Sequence, residues 1–381
     1  MNHSYAIIET PDGHPIFTPK GEMIGKDEFA DYLTVVKDWL HELDPRHYER
    51  MALDPGQEGF IDELCELFHH LNGCQKAAGE YIGPRYQKKS LAYLYCLSYI
   101  VQNQPNQNIY HAYGNAALEW QPIQTIVEHY LDLSITSGTY DGMEDAAALA
   151  QFYIDTHSSP DKAYRYAKMA YDSPFAHHDS LLDHDNIYVE ALMGEYGYRG
   201  DKKYAQEAMD IVLGKIDIFR RGPKFKDRLL TMLVYLSMGL KIMSTVPLDG
   251  NKLSLEEAER LISLNRHSLG LKEICLMRLA ECYLNGKNNP KDPEKAIALL
   301  ESIRGAERRK RAMATLAEMY LRGEGVEKNV EEAYAIANFI LIQDRICRET
   351  NMFNDDTDDV DDLILVREEA YDKLQYAEEE N

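Results

Sequence analysis

The chain has 381 residues, enough for a large core divided among several compact domains or drawn out as one elongated one. Its formal net charge is −23, from 64 acidic against 41 basic residues, and protonating all 13 histidines would still leave it negative. That balance repels phosphate backbones and anionic lipid, which argues against nucleic-acid or membrane-surface binding and for a protein or peptide partner of basic or mixed charge.

The N-terminal MNHSYAIIETPDGHPIF has neither a basic start nor an apolar run of signal-peptide length, so no leader is expected. Residues 4–18 predict a β-hairpin: YAIIET and PIFT flank PDGH, whose proline and Asp-Gly pair favour a tight reversal. From Lys26 the apolar residues Phe29, Leu33, Val36 and Leu40 recur at three- and four-residue steps, predicting a helix that ends before DPRH. Residues 58–77 and 88–102 predict two more helices, followed by the polar break QNQPNQN.

Helical patterns then alternate with short breaks, as in AALAQFYIDTHSSPDKAYRYAKMAY, YVEALMGEYGYRGDKKYAQEAMDIVLGKI and SLEEAERLISL. No convincing strand alternation follows residue 20, so the chain reads as all-α with a small β element at its front. The longest uncharged apolar stretch, Leu229 to Leu240, is about half of a bilayer span and reads as a buried helix. The cysteines (Cys65, Cys74, Cys96, Cys275, Cys282 and Cys347) form no CxxC pair and sit mostly in apolar helical patterns. That usage predicts reduced core thiols in a cytoplasmic protein, and for Cys275 and Cys282, seven apart on one helix, core filling.

Residues 276–304 and 313–341 align without a gap at an offset of 37. Identities fall at Leu279/Leu316, Ala280/Ala317, Glu281/Glu318, Tyr283/Tyr320, Leu284/Leu321, Gly286/Gly323, Glu294/Glu331 and Ala296/Ala333. Each position has a physical task. Leu276, Leu279 and Tyr283 form the apolar stripe of a first helix. Gly286 and Gly323 follow its last apolar residue, where a left-handed cap ends a helix at no steric cost. Asp292 and Asn329 are placed as N-caps of a second helix, Asn329 with Glu332 as a capping box and Asp292 with Pro293 at the first helical position. Ala296 and Ala333 are small enough for the second helix to pack close to the first. GEGV, with Gly325 and Val326, carries the turn between them.

The unit LAEMYLRGEGVEKNVEEA, with Gly323, Gly325, Val326, Asn329 and Ala333, resembles the Sel-one-like repeat family, relatives of the tetratricopeptide repeats. The resemblance covers 275–341. Weaker copies extend it to 145–341: LAQFY…SPDKAYRYA at 149–167, whose shortened loop lacks the glycines, and LMGEYGYRGDKKYAQEA at 192–208, which keeps Gly200. It is absent from 1–90. The implied fold is an all-α helical-repeat solenoid, an α/α superhelix in which stacked units bury flanks that no single unit can close. The expected organisation is a capping region over 1–90 and divergent repeats over 91–250. Clear repeats follow over 251–350, then an acidic linker and C-terminal capping helix over 351–381.

Sites for chemistry are sparse. FAHHDSLLDHD gathers His177, His178, Asp179, Asp183 and His184, all metal-binding types, but without HExxH spacing. The acidic run Asp355–Asp362 lacks the glycine and terminal glutamate of a calcium loop. In HELDPRH the proline and spacing of His41, Glu42 and His47 break helical zinc-protease geometry. No P-loop or GxSxG is present, and no cofactor, metal or catalytic residue is expected.

In repeats of this kind first helices line a concave side. The exposed stripe of one is Arg278, Glu281 and Asn285, and of the next Thr315, Glu318 and Arg322, each trio at i, i+3, i+7. The expected function is a non-catalytic scaffold or adaptor that binds a protein or peptide along this ladder. A bacterial immunity or inhibitor protein that neutralises a toxin or effector, such as a basic nuclease or a membrane-active toxin, is the alternative, and a metal-dependent enzyme or regulator centred on 177–185 is the third reading.

Overall fold

The computed structural model describes residues 6–51, 53–57, 59–64, 66–67, 70–71, 84–120, 123–136, 140–174, 184–221, 229–264, 269–349 and 358–379. The chain divides into two compact units, Met1–Gly194 and Glu195–Asn381.

In the first unit the predicted reversal forms at Gly13, whose φ of 82° is open to glycine and whose N–H donates to Thr10 O at 2.9 Å. It joins β1 (Ala6–Glu9) to β2 (Pro15–Thr18) as an antiparallel pair with Ile8 opposite Ile16. Both faces of β2 are buried, and its outer edge meets helices instead of a third strand. Those helices are α3 (Pro84–Asn103), α4 (Gln107–Trp120) and α5 (Gln124–Ile135). Tyr113 of α4 accepts Phe17 N–H at 2.9 Å, Ser98 of α3 donates to Phe17 O at 2.8 Å, and Tyr130 of α5 donates to Pro15 O at 2.8 Å. Side chains thus complete the ladder that an edge strand leaves open.

Ahead of these helices, α1 (Lys26–Leu43) buries the predicted stripe of Phe29, Leu33, Val36 and Leu40, and Trp39 besides, and packs on α3. A one-turn helix, α2 (Pro45–Tyr48), follows Asp44 at once. Of the helix predicted over 58–77, residues 60–64, 66–67 and 70–71 are helical, Gly59 forms a turn at φ 88°, and the rest lies outside the described residues. The helix predicted over 88–102 is longer, as α3. Beyond it the helices pair in chain order: α4 with α5, α5 with α6 (Tyr140–Asp155), and α6 with α7 (Pro160–Tyr171). The α6–α7 loop, which lacks the repeat glycines, places His157 at φ 49°, a left-handed position that histidine tolerates better than most residues. The unit boundary falls within α8 (His184–Arg199).

The second unit continues with α9 (Lys202–Arg221), α10 (Leu229–Thr245), α11 (Leu255–Leu264) and α12 (Leu269–Asn285). It closes with α13 (Pro293–Glu301), α14 (Ala306–Arg322), α15 (Val330–Glu349) and α16 (Asp358–Glu379). Helix α10 is the apolar run around 229–240; it buries Met232, Leu233, Tyr235, Leu236 and Leu240. No helix among the described residues is long and apolar enough to cross a membrane. First helices stack on first helices, α10 on α12 and α12 on α14, while α11, α13 and α15 pack as their partners. At the end Ala314, Ala317, Leu321, Ala333, Ala337 and Ile340 form a buried apolar layer with Val366 and Ala370 of α16. The fold class is therefore all-α, paired repeat helices of the α-solenoid type with a small N-terminal hairpin.

The repeat offset reappears bond for bond. Gly286 (φ 61°) and Gly323 (φ 71°) donate to Cys282 O and Met319 O, at 3.2 and 2.9 Å. Asp292 N–H reaches Tyr283 O at 3.1 Å and Asn329 N–H reaches Tyr320 O at 2.9 Å. Asp292 Oδ1 accepts Lys295 N–H, and Asn329 Oδ1 accepts Glu332 N–H. Gly200 (φ 71°) repeats the first of these bonds in the weaker copy, to Tyr196 O at 2.7 Å. One detail departs from expectation: Asn329 N–H, which a full capping box would give to the Glu332 side chain, is spent on Tyr320 O and closes the loop instead.

Candidate interaction surface

The candidate surface lies on α12 and α14, whose buried faces are fixed by the stacking just described. Arg278 and Glu281 are half-buried and ion-paired at 2.8 Å, and Glu281 also accepts a long bond from Ser244 Oγ at 3.4 Å. Asn285 donates to Ser244 O at 3.0 Å. On α14, Thr315 donates to Arg311 O at 3.1 Å, and Glu318 pairs with Arg322 at 2.7 Å with both side chains about half exposed. Each trio thus holds one cation, one anion and one neutral polar residue, and the anions and cations are paired with each other. The stripe is neutral as a whole, so the protein's acidity is carried elsewhere.

Three neighbouring residues serve the fold in a way the repeat pattern does not reveal. The last carbonyls of a helix lack intrahelical donors. Here Asn285, Lys287 and Asn288 supply them to α10: Asn288 Nδ2 donates to Met243 O and Val246 O at 2.7 and 2.6 Å, and Lys287 Nζ donates to Thr245 O at 2.7 Å. Asn288 Oδ1 also accepts Leu248 N–H at 2.8 Å. Glu273 does the corresponding work at the next helix start. Buried to 2% exposure, its Oε1 accepts Arg304 N–H and Gly305 N–H at 2.9 and 2.8 Å, at the entrance of α14. In sequence the only sign of this was one acid inside an apolar run.

Gly325 (φ 79°) has a second reason to lack a side chain: a Cβ there would lie 2.4 Å from Pro293 Cβ. The loop of one repeat rests on the first residue of the preceding repeat's second helix. Ala296 and Ala333 are fully buried, as close helix packing requires. Cys275 and Cys282 donate to Leu233 O and Leu240 O of α10, both at 3.3 Å, and burial pushes both thiols up to about 12. They are core groups, protonated and poorly nucleophilic.

Of the histidine cluster, His177, His178, Asp179 and Asp183 lie outside the described residues. His184 is buried, with Nε2 3.2 Å from Glu144. Asp355–Thr357 also lie outside the described residues, and Asp358–Asp362 begin α16. The one group of side chains within metal-ligating reach among the described residues is Asp44, His47 and His70.

Paired helices, left-handed glycine joints and first-helix stacking define a helical-repeat architecture of the α-solenoid type, which is consistent with an interaction scaffold. Residues 274–302 and 310–336 match the Sel1 repeat model, so this part of the chain is a Sel1 repeat segment. No curated protein matches the chain.

Proposed function

We propose that the chain is an interaction scaffold or adaptor that binds a protein or peptide along the first helices of its Sel1 repeat segment, at Arg278, Glu281, Asn285, Thr315, Glu318 and Arg322. The observation that supports this is the recurrence of a Glu–Arg pair and a neutral polar residue on two successive stacked helices. Such a ladder offers hydrogen-bond donors and acceptors at a fixed spacing to an extended or helical segment. Because each charge is internally paired, the partner suited to it is of mixed charge, able to exchange one ion pair for another; shape and register then set specificity. The paired charges leave this stripe no unopposed acid with which an inhibitor would meet a basic toxin.

The test reverses the pattern while keeping each pair: Arg278→Glu with Glu281→Arg, and Glu318→Arg with Arg322→Glu. The swap keeps an ion pair in each trio, and circular dichroism checks that the fold is retained. Affinity capture from the source cells, with mass spectrometry and a binding assay on each captured protein, should show loss of a partner by about tenfold or more in the swapped variant. Capture of the same proteins at unchanged affinity sinks the proposed surface.

A further inference from the structure

The corner between α1 and α2 holds the groups for a second kind of binding. Asp44 ends α1, donating its N–H to Leu40 O at 2.8 Å, and starts α2, with Pro45 locked at the first helical position. Its Oδ1 accepts Arg46 N–H and His47 N–H, each at 3.1 Å. Those bonds orient the carboxylate and keep it ionised below the usual range, the His47 N–H contributing most. The other oxygen, Oδ2, lies 3.3 Å from His70 Nε2, and the His70 ring stacks on His47 with centroids 3.8 Å apart and planes 12° from parallel. One donor atom from each of the three lies within 4.8 Å of the other two.

We propose that Asp44, His47 and His70 bind one divalent transition-metal ion of the zinc class. The donor set is two imidazoles and one carboxylate, which suits zinc, and also nickel and copper, better than magnesium or calcium with their preference for oxygen. A tetrahedral ion with bonds of about 2.0–2.1 Å holds its ligands about 3.3 Å apart. The Asp44–His70 separation equals that edge and is longer than a charge-assisted hydrogen bond of about 2.7–2.9 Å. The His47 donor lies within 4.8 Å of the other two, so metal binding requires a small side-chain adjustment that draws it in. Asp44 and His70 side chains are 34% and 25% exposed, so an ion can reach them and a water can take the fourth position.

Two other ligand-type side chains of this segment are engaged elsewhere. His41 packs edge-on against Tyr48, and Glu42 pairs with Lys89. The HELDPRH segment, unfit for a zinc site by its own spacing, is completed by His70, which lies 23 positions beyond His47 in the sequence.

Chelator-treated full-length protein is titrated with Zn²⁺ by calorimetry and with Co²⁺ by visible absorption, beside His47→Gln, His70→Gln, His41→Gln and the His177→Gln/His178→Gln double variant. The expected result is one equivalent bound by the wild type and by the last two variants, with affinity reduced at least about tenfold in His47→Gln and His70→Gln. Absence of binding to the wild type overturns the proposal, as does an equivalent that survives both substitutions or vanishes only in the His177/His178 variant. Helicity by circular dichroism qualifies each variant. If one is misfolded, ring resonances of the wild type decide: Zn²⁺ must shift those of His47 and His70, and shifts confined to other histidines overturn the site.

Discussion

At the scale of single residues, the GEGV segment is a joint held by two glycines for different reasons. Gly323 supplies a left-handed cap; Gly325 supplies both a left-handed φ and room for Pro293. Gly325→Ala therefore meets a left-handed penalty of about 1–2 kcal/mol and a contact that backbone movement must relieve, about 1–3 kcal/mol more. Denaturant unfolding should show a loss on the order of 2–5 kcal/mol, against less than about 0.5 kcal/mol for the exposed neighbour Glu324→Ala. Two histidines in the first unit give opposite pH signatures. Burial lowers the pKa of His111, but the hydrogen bond and charge of Asp145 outweigh it and raise the net value above 6.5, with Asp141 adding to the effect. Its stabilisation is complete below 6.5 and fades as pH rises through the raised value. His129 is lowered by burial and by His14, whose Nδ1 is 3.0 Å from its Nε2, so its contribution is present above 6.5 and fades as pH falls through the lowered value. Asp145→Asn should flatten the alkaline limb of a melting-temperature profile between about pH 5 and 8 while leaving the acid limb, and an unchanged alkaline limb would refute the assignment.

At the scale of elements, the hairpin is held by side chains that sequence periodicity could not assign. YAIIET–PDGH–PIFT announces two strands and a turn, but their partners, Ser98, Tyr113 and Tyr130, lie at least 80 positions away in helices. Tyrosines at helical spacing look like packing, and these also bond to backbone. Two substitutions separate the roles. Tyr113→Phe leaves the buried Phe17 N–H without its acceptor and removes the 2.6 Å contact with Ser98 Oγ. Tyr130→Phe takes one donor from Pro15 O, and a carbonyl tolerates that loss better than an N–H does. Thermal or urea unfolding should therefore rank Tyr113→Phe, at about 2–3 kcal/mol, above Tyr130→Phe, at about 1 kcal/mol, and the reverse order would contradict the edge-docking account. The same limit applies to the candidate surface. Residue spacing placed Arg278, Glu281 and Asn285 on one stripe, because that needs only the helical period. It could not show that Asn285 is committed to Ser244 O, since that bond depends on how α10 and α12 stack.

At the scale of the whole molecule, what the sequence made legible was whatever repeats. Leu279/Leu316, Gly286/Gly323 and Asp292/Asn329 perform the same task twice, and a task done twice leaves a pattern that one chain can be compared with itself to find. Glu273, Asn288 and the Asp44–His70 contact each occur once, so nothing in the chain echoes them. Repetition also governs how damage spreads, because neighbouring repeats contribute to stability through their shared faces. Ala370 of α16 is fully buried in the layer with Ala333 and Ala337, and Ala370→Glu places an unpaired carboxylate there at a cost of about 3–5 kcal/mol. Hydrogen exchange should then show amide protection lost in α14, α15 and α16 but preserved in α3 to α6, which belong to the other compact unit. Glu369→Ala, removing an exposed carboxylate paired with Lys373, is the control and should change neither. If protection fell equally in both units, stability would be shared across the chain and the nearest-neighbour account of this repeat protein would be wrong.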